Sequence, residues 1–156
     1  MDISNGPGVR VSLFFQGCEF HCKNCFNEET WDFKLGKEFT NDTVEHILEL
    51  CDKEYIRGLS ILGGEPMHPF NIKGATMLAK KFKEKYPKKD IWVWSGFLYE
   101  PYISKQEIIN YIDVLIDGQY VDELHDPTLK YKGSKNQRVI DIPKTLKKGT
   151  IVLYEG

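Results

Sequence analysis

Four short runs of β-branched, aliphatic and aromatic residues, each stopped by a glycine-bearing step, alternate along this chain with stretches of helical periodicity, and that alternation narrows the folds open to it. Val9 to Gln16 ends at Gly17, Gly58 to Leu62 at Gly63-Gly64, Ile91 to Trp94 at Ser95-Gly96, and Val114 to Ile116 at Asp117-Gly118. Between the first two runs Thr40-Asn41 supplies a helix cap. Val44, Ile47, Leu48 and Cys51 then recur at helical spacing, predicting a helix over 41–54 with Cys51 on its apolar face. Ala75 to Tyr86 and Lys105 to Ile112 predict two further helices, and Val139 to Ile142 and Ile151 to Leu153, separated by Pro143 and Gly149, read as last strands of a tail. Strands alternating with helices imply a parallel sheet with right-handed crossovers. A closed barrel of eight such units takes about 250 residues, and this chain has 156. The expected fold is therefore α/β, a partial (β/α) barrel: an open, mostly parallel, curved sheet with outer helices. Ligands of such sheets gather at the carboxyl ends of the strands, which puts the four glycine-bearing loops on one rim.

The length suits one domain, 1–156, able to bury a core without disulfide staples. A net charge of -2 gives no basic surface for nucleic acid, and no run reaches the roughly 18 apolar residues that cross a bilayer. Met1 to Gly6 has neither the basic nor the apolar region of a signal peptide, so the expected location is cytoplasmic and the four cysteines are expected to be reduced.

Three of those cysteines fall within eight positions as Cys18-x-x-x-Cys22-x-x-Cys25. One short loop carrying three thiolates can wrap a [4Fe–4S] cubane and bond three of its irons, leaving the fourth open to a substrate. The competing reading is structural zinc, which wants four ligands in two separate pairs, and His21 or His68 would have to complete it. Cys51, on a core-facing helix position, reads as a small buried hydrophobe. His46, His68 and His125 stand at no spacing that suggests a metal or a triad. Trp92 and Trp94 share one strand face, where core packing is the ordinary use of aromatic residues.

The cysteine triplet after a first strand, with Gly63-Gly64-Glu65-Pro66 after the second, resembles the radical S-adenosylmethionine superfamily. Asn5 to Arg10, Cys25-Phe26-Asn27-x-x-Thr30-Trp31, Trp92 to Gly96 and Gly133 to Arg138 are similar to the activating enzymes of anaerobic (class III) ribonucleoside-triphosphate reductases, in order and over nearly the whole chain. The resemblance implies that Cys18, Cys22 and Cys25 hold the cluster as its metal ligands. It also implies that Gly63, Gly64, Glu65 and Pro66 help to bind the methionine amino group of S-adenosyl-L-methionine, and that Ser95 contacts the ribose. Many superfamily members place an aromatic residue just before the third cysteine, near the adenine. Here Asn24 stands there, with Phe26 and His21 as neighbouring candidates.

The implied activity is reductive cleavage of S-adenosylmethionine to a 5'-deoxyadenosyl radical, which takes a hydrogen from a glycine Cα of the reductase large subunit and leaves a glycyl radical. The implied electron source is a low-potential donor such as a flavodoxin. The polar stretch Gly133 to Arg138, with Lys135 and Arg138 able to meet acidic groups, is expected to help dock the reductase. Three other readings stay open: an activase of another glycyl-radical enzyme such as pyruvate formate-lyase, a small radical enzyme acting on a free metabolite, and a zinc-stabilised, non-catalytic binding module.

Overall fold

The computed structural model describes residues 6–15, 41–63, 65–69 and 71–155. The four apolar runs form strands β1 (Val9–Phe15), β2 (Ile56–Gly63), β3 (Asp90–Trp94) and β4 (Val114–Asp117), and a fifth, β5 (Arg138–Asp141), completes one sheet in the order β1-β2-β3-β4-β5. The first three pairings are parallel, as alternation with helices requires, while β4 and β5 are antiparallel. The fold is thus mixed α/β, with a five-stranded sheet that departs from the parallel pattern at its last strand. The reason is local. Only a tail without a long helical crossover separates β4 from β5, so the chain returns by reversing direction.

Helices α1 (Asn41–Leu50) and α2 (Ile72–Lys85) cover one face of the sheet. Val44, Ile47 and Leu48 from α1, with Ala75, Leu78, Ala79 and Phe82 from α2, pack on Val11, Leu59, Ile61, Ile91, Val93, Leu115 and Ile140. Cys51 lies in the same core, fully buried, just past the end of α1. That helix stops short of the expected Glu54 because Lys89 Nζ takes the carbonyls of Cys51 at 2.6 Å and Lys53 at 2.7 Å, a cation satisfying acceptors at a helix C-terminus. On the opposite face Trp92, Val114 and Ile116 pack with Trp94, Val139, Tyr131 and Tyr154, and the Trp92 ring lies 4.7 Å from Tyr131 and 4.9 Å from Tyr154. The two tryptophans do share a face, and they use it for packing.

Two expected elements are different. Lys105 to Ile112 is not an α-helix but two short 3-10 turns, Ile103–Lys105 and Glu107–Asn110, separated by Gln106 in an extended conformation that interrupts any continuous ladder. The tail carries an unexpected helix, α3 (Ile142–Lys148). Asp141 caps it by accepting from the Lys144 amide at 3.0 Å, Pro143 sits in its first turn where no hydrogen bond is lost, and Gly149 closes it at φ +83°. Ile151 to Leu153 is correspondingly no regular strand. It runs beside β5 through a single bridge of Leu153 to Ile140, with the Asp141 amide donating to the Val152 carbonyl at 2.9 Å.

At the amino edge of the sheet lies a buried charge. Arg10, on β1, is fully buried; its Nε donates to Ser60 Oγ at 2.8 Å, Nη1 to the Pro7 carbonyl at 3.1 Å and Nη2 to the Leu59 carbonyl at 3.0 Å. Asp90 Oδ1 approaches Nη2 to 2.6 Å as an ion contact without a directed hydrogen bond, and the guanidinium lies 5.7 Å from the Trp92 ring centre. Every arginine nitrogen is therefore matched, as a buried charge requires. This network fixes how β1, β2 and β3 begin and leaves their far ends to form the site.

Candidate functional site

Three of the four glycine-bearing loops can be placed, and they meet on one rim at the carboxyl ends of β2, β3 and β4. The Ser95 amide donates to the Ile116 carbonyl at 2.9 Å and the Gly118 amide to the Phe97 carbonyl at 3.2 Å, joining the loops after β3 and β4. Since β5 is antiparallel, its first residue, Arg138, pairs in register with Asp117, the last of β4. The stretch Gly133 to Arg138 is thereby delivered to the same rim. Cys18, Cys22 and Cys25, together with His21, Asn24, Phe26, Trp31 and Gly64, lie outside the described residues.

Glu65 and Ser95, thirty residues apart, are in direct contact. Gly63 turns the chain out of β2 at φ +109°, a region that side chains disfavour, and the chain then carries Glu65 inward until 1% of it is exposed. Its Oε2 accepts from the Ser95 hydroxyl at 2.7 Å and the Met67 amide at 2.8 Å, and its Oε1 accepts from the Gly96 amide at 2.6 Å. Ser95 Oγ in turn accepts from the Phe97 amide at 3.0 Å. Asn71 Nδ2 donates to the Glu65 carbonyl at 2.8 Å and the Tyr102 hydroxyl to the Met67 carbonyl at 2.7 Å, so the loop after β2 is held from both sides. A solvated turn carboxylate, the plain alternative for a Gly-Gly-Glu-Pro step, is excluded by this burial. Asn71 and Tyr102 carried no sequence signal. The Ser95–Glu65 pairing was foreshadowed only in that both follow strands of one parallel sheet.

Burial pushes the Glu65 carboxyl up to about 7 from 4.5, against the pull of its hydrogen bonds from Ser95, Gly96 and Met67. A carboxyl whose pKa is higher in the folded chain than in the unfolded one favours folding in its protonated form. Its contribution is complete below about 4.5 and is lost as pH rises through about 7. Relative to Glu65→Gln, which does not titrate, the unaltered chain should lose roughly 3 kcal/mol of unfolding free energy across that interval, at about 1.4 kcal/mol per pKa unit. Urea titrations of both proteins over this range check it, and parallel pH profiles would clear Glu65 of the effect.

Asp117, fully buried, is the second rim carboxylate. Its Oδ2 accepts from the Tyr99 amide at 2.8 Å, and Arg138 grips it with Nε to Oδ1 at 3.0 Å and Nη2 to Oδ2 at 2.5 Å. The Arg138 guanidinium, expected to meet an acidic partner, thus has an internal one. Gln137 is committed likewise: its Oε1 accepts from the Gly133 and Ser134 amides at 2.9 and 3.1 Å, and its Nε2 donates to the Gly118 carbonyl at 3.0 Å. Lys135 stands exposed.

Among the described residues no group of three or more His, Cys, Asp and Glu side chains is placed to hold a metal ion. Cys51 is a poor ligand where it is, because burial raises its thiol pKa to about 11. His46 and His125 are exposed and His68 is buried. Cys18, Cys22 and Cys25, outside the described residues, are three soft thiols of the kind iron–sulfur clusters take. No helix among the described residues is long and apolar enough to cross a membrane.

The family described as 4Fe-4S single cluster domain matches residues 4–140. Over 140 residues the chain is 43% identical to the anaerobic ribonucleoside-triphosphate reductase-activating protein of Vibrio cholerae, covering 88% of this chain and 90% of that one. It is 42% identical to the protein of the same name from Enterobacteria phage T4, over 88% of this chain and 87% of the other. With the Escherichia coli K12 protein, again of that name, the identity is 40% over 89% of this chain and 92% of the relative. No solved structure matches the chain.

Proposed function

We infer that this chain, which belongs to the family of anaerobic ribonucleoside-triphosphate reductase-activating proteins, activates such a reductase by generating a glycyl radical on its large subunit. The observation that carries this is the cysteine triplet inside a 4Fe-4S single cluster match that takes in most of the chain. When bound on Cys18, Cys22 and Cys25, a [4Fe–4S] cluster would supply low-potential one-electron chemistry at an open iron, with S-adenosylmethionine as the species cleaved.

The chain's own residues do the binding and placement. Gly63 and Gly64 let the backbone come close to the methionine end of the cofactor, Glu65 and Pro66 set the shape of that loop, and Ser95 lines the adenosyl side. We read the sheet as a partial barrel. Its rim is open to a loop of another protein, which suits a macromolecular substrate. Of the tail's two cations, Lys135 is the one proposed to meet the reductase, since Arg138 is paired with Asp117. A low-potential flavodoxin-like donor and a cytoplasmic setting complete the reading.

Anaerobic reconstitution followed by iron and sulfide analysis, with electron paramagnetic resonance of the reduced protein before and after adding S-adenosylmethionine, tests it. About four irons and four sulfides per chain are expected, with a reduced-cluster signal that changes on adding the cofactor. A glycyl radical should then form on an anaerobic ribonucleoside-triphosphate reductase and not on pyruvate formate-lyase. One zinc without sulfide would overturn the proposal in favour of a binding module, and radical formation on the lyase alone would change the target.

A further inference from the structure

We propose that Glu65 is a positioning residue, whose carboxylate ties the loop after β2 to the loop after β3 and shapes the adenosyl side of the site through Ser95 and Gly96. This inference rests on the reading of the rim as an S-adenosylmethionine site and deepens it. It gives Glu65 a different task from gripping the cofactor's ammonium group.

The accounting of acceptors leads there. A carboxylate has about four lone-pair positions, and the chain itself fills three of them with the Ser95 hydroxyl, the Met67 amide and the Gly96 amide. Only 1% of the residue is exposed, so both oxygens face the protein and not the open side of the rim. The single hydroxyl proton of Ser95 is directed at Glu65, and its oxygen accepts the Phe97 amide. The conformation of residues 95 to 97 therefore depends on Glu65, through the two contacts that Ser95 and Gly96 make with it. Phe97 passes the constraint on by stacking on Tyr102 with ring centres 4.5 Å apart, and the Tyr102 hydroxyl returns to the Met67 carbonyl. The circuit closes on the loop it started from. Such a circuit holds two binding loops in one fixed relation, which is how a site gains affinity without a direct contact.

The experiment separates shaping from gripping with two ligands. S-Adenosylmethionine carries the ammonium group. 5'-Methylthioadenosine has the same adenosine, with a neutral thioether in place of the sulfonium and no amino-acid part. Dissociation constants for both are measured by equilibrium dialysis on the reconstituted full chain, for the unaltered protein, Glu65→Gln, Ser95→Ala and the double variant. Losing charged hydrogen bonds in a buried site should weaken both ligands by a similar factor, roughly tenfold to a hundredfold in Glu65→Gln. Ser95→Ala should weaken both by less, and the double variant should lose no more than Glu65→Gln alone, because both changes break one circuit. Amide hydrogen exchange at Gly96 and Phe97 should quicken in each variant without ligand.

A Glu65→Gln protein that loses S-adenosylmethionine but binds methylthioadenosine as before would overturn the proposal and restore the direct grip. Losses that multiply in the double variant would overturn it as well. If Glu65→Gln does not fold, Ser95→Ala decides: unchanged affinities and unchanged exchange at Phe97 would count against the circuit. An unaltered chain that binds neither ligand would remove the S-adenosylmethionine reading itself, a result distinct from selective loss in a variant.

Discussion

A chain carrying Cys22→Ala, reconstituted without oxygen, should hold almost no iron or sulfide where the unaltered chain holds about four of each. Three thiolates are already one fewer than the number of irons in the cubane. With two thiolates, half of the irons would lack a protein ligand, and Cys18→Ala and Cys25→Ala should fail in the same way. Cys51→Ala is the control that gives the comparison its meaning. Its thiol is fully buried in the core with its pKa raised to about 11, so it neither ligates nor exchanges into the cluster. That variant should lose about 1 kcal/mol to the small cavity it leaves and keep its full iron content. Iron retained at wild-type levels in Cys22→Ala would mean that the triplet is not the ligand set. Iron lost in Cys51→Ala would mean the same.

The second large effect lies at the opposite edge of the sheet. Gly58 pairs with Asp90 between β2 and β3, and a Cβ added there would stand 2.2 Å from both the Asp90 carbonyl oxygen and its Oδ1, and 2.9 Å from Arg10 Nη2. The side-chain oxygen can be displaced alone, but the carbonyl belongs to the ladder of a central strand and moves only if the pairing does. Nor can Asp90 swing away freely, because it faces the guanidinium of a fully buried arginine. Gly58→Ala should therefore cost about 3–5 kcal/mol, the range for overpacking combined with a disturbed buried ion pair. Against a total stability of about 5–15 kcal/mol, that brings the domain near unfolding at ordinary temperature. The midpoint of denaturant unfolding of the reconstituted protein measures it, and a midpoint within about 0.5 kcal/mol of the unaltered chain's, the usual span of a neutral substitution, would show that the strands can part there at little cost.

Both effects were within reach of the sequence to different degrees. The four strands announce themselves, since runs such as Ile91 to Trp94 combine β-branched and aromatic residues with an abrupt stop, and their ends are right to within a residue or two. The rim followed from them, because parallel strands put their carboxyl ends together. The helix after β5 is hidden in the sequence for a specific reason: Pro143 and Gly149 look like breaks between short apolar runs, whereas a proline in the first turn and a glycine after the last are what flank a helix, and Asp141 caps it. The segment around Ile108, Ile109 and Ile112 has the spacing of a helix, and its buried isoleucines are placed by two 3-10 turns instead.

Side-chain partners are the part that composition and periodicity could not supply. Arg10 sits in an ordinary strand pattern, yet its partners Ser60 and Asp90 come from two other strands. Arg138 reads as a surface cation until β5 is seen to run antiparallel and set it against Asp117. Glu65 presents the same lesson. The motif identifies the residue, but its commitment to Ser95, Gly96 and Met67 is a matter of three-dimensional placement.

The pairing of Asp117 with Arg138 also bears on the order in which a newly made chain can become competent. Arg138 lies twenty-one residues beyond the carboxylate it neutralises. A chain ending at Gln137 has the residues of all four parallel-paired strands and an acid destined for the interior with no base to meet it. Isolated buried charge is costly, so that edge stays open to water until the tail arrives. A chain cut just upstream of Arg138 would therefore keep Asp117 at that edge without the guanidinium that neutralises it.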